Sequence, residues 1–187
     1  NPLIRNMLIY AVFVQFVILI IQPVLTTYVS ELAGQMDNLI FISGLVFSLG
    51  GFASAISAPL WGRFGQHHGF HTALTYALIA TSICFFLQAL PNDLTLFAAS
   101  QFAVGLFFSG IYPSINAILA ENTDAHTKGH VFGLLFSAQQ IGSMTGPLLG
   151  GVVATFLGIK YIFILAAFIV LAISIAAQRQ RKFERPE

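Results

Sequence analysis

The stretch 129–159, GHVFGLLFSAQQIGSMTGPLLGGVVATFLGI, runs for 31 residues without an Asp, Glu, Lys or Arg. A helix needs about 20 mostly apolar residues to cross a bilayer. Five further uncharged runs of 25, 25, 29, 27 and 18 residues occupy most of the rest of the 187-residue chain. Charged residues make up 8% of the sequence and hydrophobic residues 57%, whereas roughly a quarter of a soluble domain is charged. We therefore expect an integral membrane protein with no room for a catalytic domain outside the bilayer.

The six uncharged runs predict an all-α membrane protein, because backbone polar groups in hydrocarbon must be paired within each segment. A closed barrel would show alternating segments of about ten residues, and the sequence has none. Asp37 and Asp93 directly precede two of the runs and are expected to cap helices there. The predicted fold is a single bundle of six transmembrane helices. Its spans cover residues 7–29, 39–61, 71–90, 94–120, 131–157 and 161–178.

Basic residues collect on one side of this predicted bundle, and basic residues are retained in cytoplasmic loops. The richer side holds Arg5, Arg63, Lys128, Arg179, Arg181, Lys182 and Arg185. The opposite side holds only Lys160. The sequence thus predicts a multi-pass membrane protein with both termini in the cytoplasm.

Several function classes are excluded by what the sequence lacks. A net charge of +1 without a basic stripe argues against nucleic acid as a partner. No charged residue lies inside a predicted span, which argues against an intramembrane protease and a voltage sensor. No phosphate-binding glycine loop of the Walker type is present, so ATP is not the expected energy source. We expect no enzymatic activity, no catalytic residues and no cofactor.

The second and fifth predicted spans repeat one another. Residues 44–48, GLVFS, match 133–137, GLLFS, at an offset of 89, and residues 58–62, APLWG, match 146–150, GPLLG, at an offset of 88. Three spans separate the copies, so the repeated helices cross the membrane in opposite directions. An inverted three-plus-three repeat is typical of secondary transporters, although Gly, Leu, Phe and Ser also recur by chance in membrane helices.

Glycine and proline are concentrated in the predicted helices. Gly142, Gly146 and Gly150 recur every four residues, a spacing that lets two helix backbones approach closely. Pro23 and Pro113 interrupt the first and fourth spans, where each removes a helical hydrogen bond and permits a bend. Such features suit helices that line a cavity or rock against one another.

These residues resemble the major facilitator superfamily, and within it the bacterial multidrug drug:proton antiporters. The pattern Gly-x-x-x-Gly-Pro-x-x-Gly-Gly over 142–151 is similar to that group's antiporter motif, which lies on the fifth helix of a six-helix half. Segment 62–71 has the spacing of the superfamily's charged loop pattern, but Gln66 replaces its acid and His67 its first arginine. Gln101 likewise stands where the family's first half has a membrane arginine.

These departures resemble the carboxy-terminal half of such a transporter, in which the charged motifs have decayed. The resemblance implies proton-coupled efflux of amphipathic drugs from the bacterial inner membrane. The expected partners are a small-molecule substrate, protons, the lipid bilayer and an amino-terminal six-helix half that carries the coupling carboxylates. The alternatives are a stand-alone six-helix carrier or structural subunit, and a superfamily transporter of a sugar, peptide or metabolite.

Neutral polar and aromatic residues share helix faces at helical spacing, and the resemblance implies that they line a central cavity. These residues are Gln15, Gln22, Phe47, Gln101, Phe108, Tyr112, Asn116, Phe136 and Gln140. The resemblance also implies a contact with the other half through the glycine faces of the second and fifth helices, at Gly50, Ser54, Gly142, Gly146, Pro147 and Gly150. The loop motif comprises Gly62, Arg63, Gln66 and Gly69. Each Gln or Asn would serve equally well as an interhelical hydrogen bond.

Two histidine pairs, His67/His71 and His126/His130, have the four-residue spacing that a zinc site uses. No Cys accompanies them, and both pairs lie in predicted cytoplasmic loops where the family has basic residues. We therefore expect partly protonated loop histidines and no bound metal.

Overall fold

The computed structural model describes residues 2–34 and 38–184. Most of these residues are helical, and these two ranges contain no strand. The helices are α1 Pro2–Ala33, α2 Leu39–His68, α3 Phe70–Gln88, α4 Leu94–Phe108, α5 Ile111–Glu121, α6 Lys128–Phe156 and α7 Ile159–Glu184. Because α4 and α5 follow one another as the two parts of the fourth span, the chain forms six spans. The predicted all-α fold is confirmed.

Most of the spans are apolar enough for a bilayer. Within the described ranges, five segments qualify by length and composition: Pro2–Ala33, Ile40–His68, Phe70–Gln88, Leu94–Glu121 and Ile159–Gln180. Helix α6 has 29 residues, about 43 Å at 1.5 Å per residue, and is therefore long enough to span. Its glycines and the pair Gln139 and Gln140 lower its mean hydropathy, as expected of a helix that packs closely against a neighbour.

The packing of the helices follows the inverted repeat. The most extensive contact joins α1 to α6, followed by α3 with α7 and α2 with α4. The inverted repeat relates span one (α1) to span four (α4 and α5), span two (α2) to span five (α6), and span three (α3) to span six (α7). The contact of α1 with α6 therefore corresponds to the contact of α4 with α2, and the contact of α3 with α7 corresponds to itself. The observed contacts therefore have the symmetry that the repeated GLVFS and GLLFS segments predict.

An aromatic cluster joins three spans at the end of the bundle opposite the chain termini. The ring of Tyr28 on α1 lies 5.0 Å from that of Phe97 on α4 and 5.5 Å from that of Phe163 on α7, measured between centroids. At the same end, Nζ of Lys160 donates to Oδ1 of Asn92 at 2.5 Å. These contacts tie the loop between α3 and α4 to the start of α7.

The ends of the helices have identifiable causes. The carboxylate of Asp93 accepts hydrogen bonds from the amides of Thr95 and Leu96 at 3.1 and 3.2 Å, which confirms its predicted capping role. Asp37, the other predicted cap, lies outside the described residues. Between α2 and α3 the chain turns at Gly69, whose φ of 87° is a conformation that glycine adopts readily.

The two interrupting prolines behave differently. Helix α1 continues through Pro23 without a break. The fourth span is interrupted at residues 109–110, and Pro113 lies in the first turn of α5. Amides in the first turn of a helix have no partner within the helix, so a proline there costs no hydrogen bond. The interruption before α5 therefore makes Pro113 compatible with the helix.

Candidate functional site

A cleft of about 290 Å³ lies between α1, α2 and α4. Four of the nine residues predicted to line a cavity meet in it: Gln22, Phe47, Gln101 and Phe108. The other lining residues are four aliphatic side chains, three glycines, Ser54 and Phe85 of α3. The helices bring together two amides and two aromatic rings from three different helices, and no charged side chain is among the described residues that line the cleft.

Gln101 is held in place by a residue that the sequence reasoning missed. Gln88, at the end of α3, is fully buried, and its Nε2 donates to Oε1 of Gln101 at 2.5 Å. The opposite end of the Gln101 amide lies over α2, because a Cβ at Gly50 would stand 3.2 Å from its Nε2. The oxygen of Gln88 is buried without a hydrogen-bond partner. A lone glutamine in the otherwise apolar segment 83–90 was the available signal.

Helices α2 and α4 touch through backbone atoms beside the cleft. A Cβ on Gly105 would collide with the carbonyl oxygen of Gly50. The Ser54 hydroxyl lies 2.8 Å from the oxygen of Gly50 and 3.0 Å from that of Gly105. Gly50 and Ser54 were predicted to contact the other half of a transporter, but the structure packs both against α4 of the same bundle.

A second polar cluster joins α1, α5 and α6. The hydroxyl of Tyr112 donates to Oε1 of Gln15 at 2.5 Å, and Nε2 of Gln15 donates to Oγ of Ser143 at 3.1 Å. Gln15 and Tyr112 are therefore paired with each other and do not line the cleft. The ring of Phe108 lies 6.4 Å from that of Tyr112 in an edge-on arrangement, which connects the cleft to this cluster.

The remaining three predicted cavity residues are exposed. Asn116 lies on α5, and Phe136 and Gln140 lie on α6. None of them is among the residues that line the cleft. Helical spacing alone could not distinguish these three residues from the four that line the cleft. The spacing shows which residues share a face of one helix, but it does not show which other helix packs against that face.

The glycine face of α6 packs against α1. A Cβ at Gly142 would collide with the carbonyl oxygen of Val12, and Cβ atoms at Gly146 and Gly150 would stand 2.9 and 2.7 Å from atoms of Leu19 and Ile20. The small-residue spacing thus serves close helix contact as predicted, but the contact lies within the bundle. Pro147, between the glycines, is exposed.

The interruption of the fourth span is supported by α2. In a continuous helix the carbonyl of Leu106 would accept from the amide of Gly110, but that amide instead bonds the carbonyl of Phe107 at 3.2 Å. The indole Nε1 of Trp61 donates to the carbonyl of Leu106 at 2.8 Å, and the Ser109 hydroxyl lies 3.1 Å from it. The acceptor released by the interruption is therefore satisfied by a side chain of a neighbouring span.

The predicted loop motif is mostly helical. Helix α2 continues to His68, so Gly62, Arg63 and Gln66 belong to its last turns, and only Gly69 forms the turn itself. Helices commonly extend past the apolar segment, because water satisfies their last carbonyls as well as a loop would.

Three of the four histidines predicted to lie in loops are helical instead: His67 lies in α2, His71 in α3 and His130 in α6. Within the described residues, no group of three or more His, Cys, Asp or Glu side chains is arranged to hold a metal. The ring of His68 stacks on that of Phe64, with centroids 4.5 Å apart.

A six-span bundle with inverted internal symmetry and a polar cleft between its helices has the architecture of a half of a secondary transporter. The family model described as Major Facilitator Superfamily matches residues 6–186. The chain belongs to this superfamily and is a multi-pass membrane protein of a transporter family.

Named relatives agree with this assignment. The chain is 33% identical to an uncharacterized MFS-type transporter, YuxJ, of Bacillus subtilis, over 92% of this chain and 44% of the relative. It is 31% identical to the multidrug resistance protein MdtG of Klebsiella pneumoniae, over 91% of this chain and 42% of the relative. The chain spans less than half the length of these curated relatives.

Solved structures share the fold at low sequence identity. The POT family transporter PepTSo superposes with a TM-score of 0.82 at 13% identity, over 97% of this chain and 37% of that one. The human organic anion transporter MFSD10 (TETRAN) superposes with a TM-score of 0.76 at 16% identity, over 92% of this chain and 46% of that one.

Proposed function

We propose that this chain is the carboxy-terminal six-helix half of a proton-coupled exporter of amphipathic drugs in a bacterial inner membrane. The observation that carries the proposal is the cleft between α1, α2 and α4, which is lined by amides, aromatic rings and aliphatic side chains without a charge. The relatives named as multidrug resistance proteins support the same substrate class. This chain covers only 42% of the length of one such relative, which supports the presence of a second half in the intact protein.

The chemistry of the cleft suits substrates that are largely apolar and carry few hydrogen-bonding groups. Phe47 and Phe108 offer apolar surface and ring faces to flat or cationic compounds. Gln22 and Gln101 offer amides that both donate and accept hydrogen bonds. Since an amide can serve either role, such a site accepts varied compounds, whereas a buried charge would select one sign.

The described lining of the cleft offers no carrier for the coupling proton. Proton carriers in membrane proteins are usually intramembrane carboxylates or histidines, and none is among the described residues that line the cleft. We therefore assign proton binding to the amino-terminal half. Each charge moved across the membrane would supply about 2.3 kcal/mol per 100 mV of membrane potential.

The contact with the amino-terminal half uses the outward faces of α2 and α6. Both helices expose large apolar side chains along their length. On α2 they include Phe41, Leu45, Phe52 and Leu60, and on α6 they include Phe136, Met144 and Leu148. Each face lies opposite a face packed within the bundle, such as the glycine face of α6. Rocking of the two halves across these surfaces would expose a midplane site to each side of the membrane in turn.

Transport by the intact protein reconstituted in liposomes tests this function. A lipophilic cationic dye should move against its gradient when a proton gradient is imposed, and a protonophore should abolish the movement. Gln101→Ala should reduce transport at protein levels equal to the unchanged protein, while Gln178→Ala, at an exposed glutamine of α7, should not. Equal transport with no proton gradient and no potential would contradict proton coupling. Unchanged transport in Gln101→Ala and Gln22→Ala would contradict the assignment of the cleft.

A further inference from the structure

A second and larger groove lies between the first turns of α1 and the last turns of α7. Its volume is about 750 Å³. It shares no residue with the cleft between α1, α2 and α4. The function proposed above does not use it.

The chemistry of this groove changes along its length. Its inner part is lined by the ring of Tyr10 and by Ala172, Ile175 and Ala176. From Ala172 to Arg179 helix α7 rises about 10 Å at 1.5 Å per residue. Arg179 and Gln180 therefore lie at the mouth, together with the terminal turn of α1. The groove is apolar within and polar at one end, where the Tyr10 hydroxyl donates to Oε1 of Gln180 at 3.4 Å and joins α1 to α7.

The polar end is also the basic end of the bundle. Arg179 is exposed, and among the described residues that line the groove none is Asp or Glu. Arg5 of α1 belongs to the same end. Basic pockets between transmembrane helices bind anionic lipid headgroups, and an arginine can lay its stem along apolar surface while its guanidinium meets a phosphate.

We propose that this groove binds an anionic phospholipid, with an acyl chain between α1 and α7 and the phosphate at Arg179. Asn6, which also lines the groove, offers an amide to the headgroup. The leaflet follows from the topology predicted from the sequence, in which both termini, and therefore this end, face the cytoplasm. Binding itself does not depend on what the protein transports.

Native mass spectrometry of the intact protein in detergent tests the proposal, with phosphatidylglycerol, phosphatidylethanolamine and inorganic phosphate as separate probes. Phosphatidylglycerol should remain bound at collision energies that strip phosphatidylethanolamine. Arg179→Gln should weaken its retention about fivefold, the equivalent of about 1 kcal/mol for one basic residue at a membrane surface. Arg63→Gln, at an exposed arginine of α2 on the same side, should leave retention unchanged.

A second pair of variants tests the apolar part of the groove. Ala176→Trp should displace the acyl chain and abolish selective retention, whereas Ile83→Trp, at an exposed position of α3, should not. Thermal unfolding and helical circular dichroism of each variant establish that it is folded. The proposal would be overturned if both lipids were retained equally, or if neither Arg179→Gln nor Ala176→Trp reduced the retention of phosphatidylglycerol. It would also be overturned if free phosphate competed effectively with the lipid. So would a second copy or another segment of the protein cross-linked into the groove.

Discussion

The carbonyl oxygen of Gly50 on α2 lies against the α-carbon of Gly105 on α4, with no space for a side chain at position 105. Both partners are backbone atoms, so no change of rotamer can relieve a collision there. The Ser54 hydroxyl lies within hydrogen-bonding distance of both carbonyl oxygens. This contact fixes one wall of the candidate cleft, because Gly50, Ser54 and Gly105 all line it.

Gly105→Ala should therefore destabilise the bundle by about 1–3 kcal/mol, the usual cost of overpacking a tight contact. Thermal unfolding of the intact protein in detergent would measure the change. Gly44→Ala is the matched control, because a Cβ built there meets no atom of another helix within 4 Å and alanine favours a helix over glycine. An unfolding midpoint for Gly105→Ala at or above that of Gly44→Ala would contradict the close contact.

Gln88 should act on substrate binding through Gln101. Gln88→Leu removes the donor to Oε1 of Gln101 and frees its amide to rotate. Since one such hydrogen bond contributes about 0.5–1.5 kcal/mol, we expect dye affinity to fall about 2- to 10-fold for substrates that depend on Gln101. Equilibrium dye binding would measure this effect, with Gln178→Leu as the control.

A purely structural role for Gln88 gives a different result. If Gln88 only stabilised the helix packing, Gln88→Leu would lower stability and leave unchanged the affinity of the molecules that remain folded. The double variant Gln88→Leu/Gln101→Ala distinguishes the two cases. Once Gln101 is absent, loss of Gln88 should reduce affinity no further.

The chain of hydrogen bonds from Tyr112 through Gln15 to Ser143 should couple α5, α1 and α6. Tyr112→Phe and Ser143→Ala each remove one partner of Gln15. Within membranes such bonds contribute about 0.6 kcal/mol on average, so each variant should lower stability slightly. A double-mutant cycle on unfolding free energies should give a non-zero coupling, because both bonds orient the same amide. If the two changes in unfolding free energy were strictly additive, Gln15 would not couple Tyr112 to Ser143.

The class of fold was accessible from the sequence because it depends on properties that sum along the chain. Uncharged runs predict six spans, and the repeat at 44–48 and 133–137 predicts their inverted relation. The glycine spacing on α6 predicted close packing, but no sequence pattern said that α1 would be the partner. A glycine face suits any helix that approaches it, and three-dimensional contacts decide which one does.

The cleft was only partly predictable for the same reason. Four of the predicted residues meet there: Gln22, Phe47, Gln101 and Phe108. Gln140 is a glutamine like two of them, but it does not line the cleft. Gln88 went unnoticed because its role depends on an atom of α4. Polarity in a membrane helix indicates that a side chain has a partner, and only the assembled bundle identifies that partner.

Trp61 should report on the interruption of the fourth span. Its indole donates to the carbonyl of Leu106, and its ring occupies the space beside Gly110, where a Cβ would stand 2.5 Å away. It is the only tryptophan in this chain. With tryptophans elsewhere in the intact protein replaced, its fluorescence should change when a non-fluorescent substrate occupies the cleft, since both α2 and α4 line that cleft.

Two variants separate the hydrogen bond of Trp61 from its packing. Trp61→Phe removes the donor, keeps an aromatic ring and should cost about 1 kcal/mol, because the Ser109 hydroxyl remains near the carbonyl of Leu106. Gly110→Ala should cost more, since the added methyl group must displace the indole. A Trp61→Phe protein as stable as the unchanged one, together with fluorescence insensitive to substrate, would mean that α2 does not support the interruption and that the fourth span bends independently of its neighbour.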